Sequence, residues 1–307
     1  MIMKIVRICL VIFGLTGLLS AAYGETVTRT VVLPDDISRV YLNGSNELHL
    51  TQGDEEFVKL TAPEEKVSVV EARVKGRALY LGKEKNWNNN DWGFGPSGED
   101  ASVRFDVQLK RIDAIRILGS GNAYTGDLVG DHLKIIMYGS GKAVTQSIKA
   151  RDLKLEISGS CDVQGDRIDT EKSDIKINGS GRINIAQLNT NELEIGISGS
   201  GNIKLEKLTA AELETVINGS GNLDLSGRAR SQELKINGSG DYRATDLISD
   251  TAYVDVRGLG DVTVSVLNNL TAELMRGADL AYYGGPGLEA DISGHGSYRH
   301  AGDIPGN

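Results

Sequence analysis

A short glycine motif returns at an almost constant interval along most of this chain. The triplet Gly-Ser-Gly begins at Gly119, Gly139, Gly179, Gly199, Gly219 and Gly238, and altered copies begin at Gly159, Gly258 and Gly294. From Gly119 to Gly258, neighbouring copies start 19 or 20 residues apart. Gly277 is taken as the start of one further, shortened copy. A fixed period of this length indicates a repeat architecture, so the repeat constrains the fold more than any other feature.

The residues on either side of each motif alternate between apolar and polar. Leu193, Ile195 and Ile197 precede Gly199 at every second position, and Ile203 continues the same alternation after the turn. Period-two alternation predicts strands with one buried face and one solvated face. Each repeat therefore reads as a strand, a glycine turn, a second strand and a polar corner, as at residues 209–212.

Two strands in each repeat are compatible with a hairpin meander or with the coils of a solenoid. The near-constant period favours a parallel β-solenoid of two sheets with about 20 residues per coil, because stacked coils need equal circumference. About nine or ten coils at roughly 4.8 Å each give a rod of about 45 Å. Glycine is expected where the chain bends sharply or needs positive φ. The structural turn residues predicted on this basis are Gly119, Gly121, Gly139, Gly141, Gly159, Gly179, Gly181, Gly199, Gly201, Gly219, Gly221, Gly238, Gly240, Gly258 and Gly260.

The first 24 residues have the pattern of a secretory signal peptide. Lys4 and Arg7 form a short basic region, an apolar run follows from Ile8 to Leu19, and small residues end at Gly24. The apolar run is shorter than the about 20 residues that a membrane span needs. We therefore expect export to the periplasm, the cell surface or the extracellular space, with no transmembrane segment in the mature chain.

Residues 25–110 alternate less regularly and predict irregular coils or a β cap, whereas residues 111–307 predict the regular solenoid. A loop at 85–101 interrupts the first part and holds both tryptophans of the chain. Flat rings stack on sugars and amides satisfy hydroxyls, so this loop is a candidate ligand-binding site. Its residues are Trp87, Asn88, Asn90, Trp92 and Phe94. The alternative is a loop whose rings pack back on the rod.

Composition and motifs exclude several classes of function. The formal net charge is −9, which gives no general attraction to nucleic acid. The turn serines have no histidine at a repeating position, and we find no phosphate loop or dinucleotide motif. His295 and His300 lie close together but lack further convergent ligands, so we expect no metal and no cofactor. The oligomeric state is left open.

The signal peptide, the stretch Ile-Ser-Gly-Ser-Gly-Asn-Ile at 197–203 and its copies resemble the putative auto-transporter adhesin, head GIN domain family of secreted bacterial proteins. The resemblance implies a right-handed parallel β-helix of pectin-lyase-like fold, without the catalytic residues of that fold. It also implies a non-enzymatic role in cell adhesion, with a carbohydrate or a surface protein as partner. The alternatives are a polysaccharide-active enzyme and a structural or sensing envelope protein without an external ligand.

Overall fold

A computed structural model describes residues 26–64, 71–82 and 103–305, and its regular elements are β-strands. The N-terminal strands are β1 (Thr26–Val32), β2 (Arg39–Asn43), β3 (Glu47–Gln52), β4 (Phe57–Pro63), β5 (Glu71–Lys75), β6 (Ala78–Gly82) and β7 (Arg104–Leu109). The repeat strands are β8 (Ala114–Gly119), β9 (Asn122–Gly139), β10 (Lys142–Gly159), β11 (Asp162–Asp169), β12 (Lys172–Gly179), β13 (Arg182–Gly199), β14 (Asn202–Gly219), β15 (Asn222–Gly238), β16 (Tyr242–Gly258), β17 (Asp261–Arg276), β18 (Asp279–Tyr283), β19 (Gly287–Gly294) and β20 (Ser297–Gly302).

Each repeat strand pairs in parallel with the equivalent strand one repeat further along the chain. Leu155 lies beside Ile175, and Ile175 lies beside Ile195, so equivalent residues stack in columns. Parallel pairing continues from β8 to β20, with local register shifts from β14 onward. The parallel β-solenoid is therefore confirmed, and the repeats do not form a meander of hairpins.

The core consists of columns of aliphatic side chains that the alternation predicts. One column contains Ile157, Ile177, Ile197, Ile217 and Ile236, each no more than 1% exposed. Complete burial of such a side chain contributes about 1.5–3 kcal/mol. Because every coil covers the side chains of its neighbours, burial depends on stacking rather than on any single coil.

In most of the regular coils the polar corner is part of the sheet, although residues 170–171 between β11 and β12 are not in a strand. Thr209, Ala210 and Glu212 pair with the equivalent residues of β13. Between β9 and β10 the pairing skips Gln146 and Arg151, and both are exposed. Two consecutive outward residues at each skip bend the coil, so it has three straight segments where the sequence predicts two arms. We call them the first (142–145), second (147–150) and third (152–159) segments and use these names for equivalent residues.

The two glycines of each turn meet different requirements. Gly219 has φ of 131°, and a Cβ there would lie 2.4 Å from the carbonyl oxygen of Gly199. At Gly221 a Cβ would lie 2.4 Å from Cγ2 of Ile197. Ser220 N donates to Gly199 O at 2.8 Å, so consecutive turns are also hydrogen-bonded. The first residue of the triplet must be glycine because of its backbone conformation. The third residue must be glycine because the coil below approaches it closely.

The turn of the shortened repeat begins one residue before Gly277, where the sequence predicts it. Arg276, not Gly277, pairs with Gly258 and takes the position of the first turn glycine. Arg276 has φ of 72°, a conformation that non-glycine residues adopt at a cost. The register of β16 and β17 also shifts between Ala244 and Ile248. These shifts accommodate a coil with fewer residues than its neighbours.

The N-terminal strands close one end of the rod. β2 and β3 form a coil that pairs in parallel with β8 and β9 on one side and with β6 and β7 on the other. Beyond these strands the pairing becomes antiparallel, with β5 beside β6, β4 beside β7, and β1 beside β4. Leu33, Ile37 and Val58 are buried in the same core as the repeats. The apolar core therefore continues from the regular coils into these N-terminal strands.

Candidate functional site

The Trp-rich segment, with Trp87, Asn88, Asn90, Trp92 and Phe94, lies outside the described residues. The structure does place the residues on either side of it. A Cβ on Gly82 would lie 2.7 Å from Asn43 O, and Val103 O accepts a hydrogen bond from Glu47 N at 2.8 Å. Gly82 and Val103 therefore lie one rung below the turn that joins β2 to β3.

The described residues form a groove that runs along the rod on its third segments. Register places two outward columns beside each other, two residues apart on every strand. One column is Glu192, Glu212, Ser231, Thr251 and Asn269, and the other is Glu194, Glu214, Glu233, Tyr253 and Thr271. The space between them measures about 430 Å³. We call it the axial groove.

The axial groove crosses five coils, so its outer rungs are about 19 Å apart at the usual strand spacing of roughly 4.8 Å. Leu193, Leu213 and Ala252 lie between the columns, but their side chains point into the core and are buried. The polar groups of the lining are therefore carboxylates, hydroxyls and amides, and Tyr253 adds an aromatic ring. A long, shallow and polar depression suits an extended polymer better than a compact apolar ligand.

Carboxylates dominate one half of the groove, and cations at its margin balance some of them. Lys172 Nζ lies 3.2 Å from Glu192 and 2.8 Å from Glu194. The hydrogen bond from Lys172 lowers the pKa of Glu194 below its ordinary value, and its bonds to both carboxylates raise the pKa of Lys172. Glu214 lies on the second of the five rungs, and within the described ranges no basic side chain forms an ion pair with it. The neighbouring carboxylates are paired, so Glu214 is the carboxylate of the groove that ion pairs leave available to a ligand.

A buried polar network supports the groove from below. Gln232 takes the core position that is leucine in the two preceding coils, and it is 3% exposed. Its Nε2 donates to Ser249 Oγ at 2.7 Å, and its Oε1 accepts from the Tyr242 hydroxyl at 2.8 Å. Buried polar groups cost free energy unless they are paired, and these are paired. The network fixes the strand that carries Ser231 and Glu233.

Much of the charged outward surface is an ordinary solvated face. Lys204 pairs with Glu206 at 2.9 Å, and Lys154 pairs with Glu156 at 3.1 Å. Exposed pairs of this kind contribute about 0–1 kcal/mol. The groove carboxylates differ because they recur at the same offset in consecutive repeats. That recurrence is visible in the sequence at 192 and 212 and at 194 and 214.

The other ladders and reactive groups have structural explanations. Asn237 Nδ2 donates to Asn218 Oδ1 at 3.0 Å, in the column before the turns that also holds Ser158, Asn178 and Ser198. Cys161 is buried at a turn, and burial raises the pKa of its thiol. His300 contacts Gly284 O rather than another candidate ligand. Across the described ranges, no three His, Cys, Asp or Glu side chains are arranged to hold a metal ion.

Solved structures and family models place this architecture among known proteins. A putative adhesin from Parabacteroides distasonis has a TM-score of 0.56 at 19% identity, over 92% of this chain and 98% of that chain. A putative lipid binding protein from the same species has a TM-score of 0.53 at 20% identity, over 92% and 97%. At these identities the likeness concerns the fold alone. No match was found among curated proteins.

The described ranges contain no helix with the length and hydrophobicity of a membrane span. The family model described as putative auto-transporter adhesin, head GIN domain, matches twice, over residues 36–205 and 170–286. The two matches overlap within the regular coils, as expected for a model that fits repeats. Together they cover the N-terminal coil, the glycine turns and the axial groove, and on this match the chain belongs to the putative auto-transporter adhesin, head GIN domain family.

Proposed function

We propose that this protein is an exported, non-enzymatic adhesin that binds a linear glycan along its axial groove. The observation that carries the proposal is the pair of hydrogen-bonding columns that crosses five coils. Solenoids present repeated side chains along an extended surface, which suits polymeric partners. Membership of an adhesin family supports a role in surface binding, and the N-terminal pattern of basic, apolar and small residues supports export.

The chemistry of the lining defines the class of glycan. Carboxylates accept hydrogen bonds and do not donate them, so Glu194, Glu214 and Glu233 favour ligands that present donors. Sugar hydroxyls and amino groups are such donors. Sulfated or uronic acid polymers and nucleic acids would place like charges together. We therefore propose a neutral or amino-bearing glycan.

A glycan-cleaving enzyme is the alternative that the groove carboxylates raise. Glycoside hydrolysis uses two carboxyl groups, one of them a general acid with a raised pKa. The Lys172 ammonium has the opposite effect on Glu194, because it stabilises the ionised form. Paired and ionised carboxylates suit recognition of hydroxyls, which supports binding. A turnover assay on the glycans that bind would reveal cleavage if it occurs.

Reversing the charge at Glu214, the groove carboxylate without an ion pair, should abolish most of the affinity. Glu214 is exposed, so Glu214→Lys should leave the fold intact while it removes an acceptor. Hydrogen bonds to charged groups contribute about 1.5–3 kcal/mol, which corresponds to roughly a 10- to 150-fold loss of affinity. A glycan array followed by calorimetry measures it. Glu206→Lys, an equal change outside the groove, should bind like the parent chain, and equal binding by Glu214→Lys would contradict the proposal.

We further propose that the Trp-rich segment contributes a second contact with the same ligand. The support comes from the sequence, where Trp87 and Trp92 lie among asparagines, and from the described strands that flank the segment. Trp87→Ala combined with Trp92→Ala should weaken glycan binding by roughly 30-fold, since stacking contacts contribute about 1 kcal/mol each. Circular dichroism should stay unchanged. Unaltered affinity would assign these rings to packing instead.

A further inference from the structure

The two ends of the solenoid differ in how their strands are covered. At the N-terminal end, antiparallel strands follow the first coil, and Leu33, Ile37 and Val58 are buried there. At the other end, β19 pairs with β17 and β20 pairs with β18, and in the described part of the chain no strand pairs with their outer edges. Unpaired strand edges are templates for further pairing unless the protein blocks them. The last coil therefore presents two open edges.

The inward side chains of the last coil are also uncovered. Ile292 continues the column of Val256 and Leu274, which are 0% and 1% exposed, yet Ile292 is 38% exposed. Tyr298 continues the column of Leu280, which is 1% exposed, yet Tyr298 is 44% exposed. These side chains point toward the core axis but lack the next coil that covers all earlier ones. The end face combines open backbone groups with apolar side chains.

We propose that a second copy of this chain covers the end face, so that two rods meet end to end. The two copies are related by a two-fold axis that is perpendicular to the rod and passes through the turn at 294–297. This axis places the segment before the turn in one copy over the segment after the turn in the other copy. β19 of each copy then lies antiparallel to β20 of the other, and both open edges are paired at once. An identical coil has the matching outline, which an unrelated strand lacks. Because a two-fold contact uses the end face of each copy once, this contact closes at two chains.

The alternation of side chains fixes the register of this contact. Inward residues must face inward residues, which places Ile292 opposite Tyr298 of the second copy. In the same register Asp291 lies opposite Arg299, and both of these outward side chains are exposed. Opposite charges directly across a strand pair are stabilising, and like charges are destabilising. The two-fold axis produces every contact twice, so the end face is complementary to itself in backbone, apolar surface and charge.

Charge reversal with sedimentation velocity tests this contact in the purified chain at micromolar concentration. The parent chain should sediment as a dimer. Asp291→Arg alone places Arg opposite Arg, and Arg299→Asp alone places Asp opposite Asp, so each variant should weaken the dimer by about tenfold or more. An equimolar mixture of the two variants restores both opposite-charge pairs and should dimerise again. Glu206→Arg, in the middle of the rod, is the matched control and should leave the dimer unchanged.

Circular dichroism of each variant reports whether the solenoid is intact, and the mixture provides a readout that misfolded chains would not give. Dimers in the mixture, and not in either variant alone, support the proposal and its register. A parent chain that sediments as a monomer throughout overturns the proposal. So does a dimer that neither reversal weakens, because such a dimer would use another surface.

Discussion

Gly219→Ala adds only one methyl group, but we expect it to destabilise the fold more than most substitutions of that size. At φ of 131° this position lies where L side chains are strained, which costs about 1–3 kcal/mol. The new Cβ would also lie 2.4 Å from Gly199 O, a backbone atom that cannot move without disturbing its own turn. We expect the free energy of unfolding to fall by about 3 kcal/mol or more. At roughly 2–4 °C per kcal/mol, the melting temperature should fall by about 6–12 °C.

Thermal melts followed by circular dichroism measure this effect, and the chain offers a matched control. Gly126 lies in the repeat region, but it has no positive φ, and a Cβ there would have no atom within 4 Å. Gly126→Ala should therefore change stability by less than about 0.5 kcal/mol, as surface substitutions usually do. Similar melting temperatures for the two variants would show that the turns relax freely and that their glycines are not required.

The solenoid fold can be predicted from the sequence largely because the same pattern of residues is repeated in every coil. Alternating aliphatics such as Ile195 and Ile197 identify the inward face, and the constant period identifies parallel stacking over hairpins. The bend at the polar corner is different, because Ala210 is small and its neighbours are polar. A small inward residue leaves no clear apolar signal, so the third straight segment is not evident from the pattern.

Other features depend on spatial context that one sequence does not express. Arg276 takes a glycine's place because the coil around it is short, whereas the sequence directs attention to Gly277. The axial groove arises from side chains in different coils, and only the stacked register brings Glu194 and Glu214 side by side. The period of the carboxylates could have indicated this site. The predicted Trp-rich site stays a prediction, since it lies outside the described residues.

Ile197→Ala tests whether burial by neighbouring coils stabilises the rod. Ile197 lies between Ile177 and Ile217 in its column, and its Cγ2 is closely covered by the turn at Gly221. Removing three carbons from this site should leave a cavity that the flanking coils cannot fill, because both are held by their own ladders. Substitutions of this type cost about 2–5 kcal/mol. Chemical denaturation monitored by circular dichroism gives the free energy difference.

An isoleucine-to-alanine substitution at the end of the same column distinguishes the effect of burial from the intrinsic strand propensity of isoleucine. Ile292 continues this column at the last coil, where it is 38% exposed. Ile292→Ala, measured at concentrations where the chain is monomeric, should cost less than about 1 kcal/mol, because little apolar surface leaves a buried environment. Equal losses at the two positions would mean that strand propensity, not stacking, stabilises the column. A large loss at Ile197 alone would show that each coil is stabilised by the coils on either side of it.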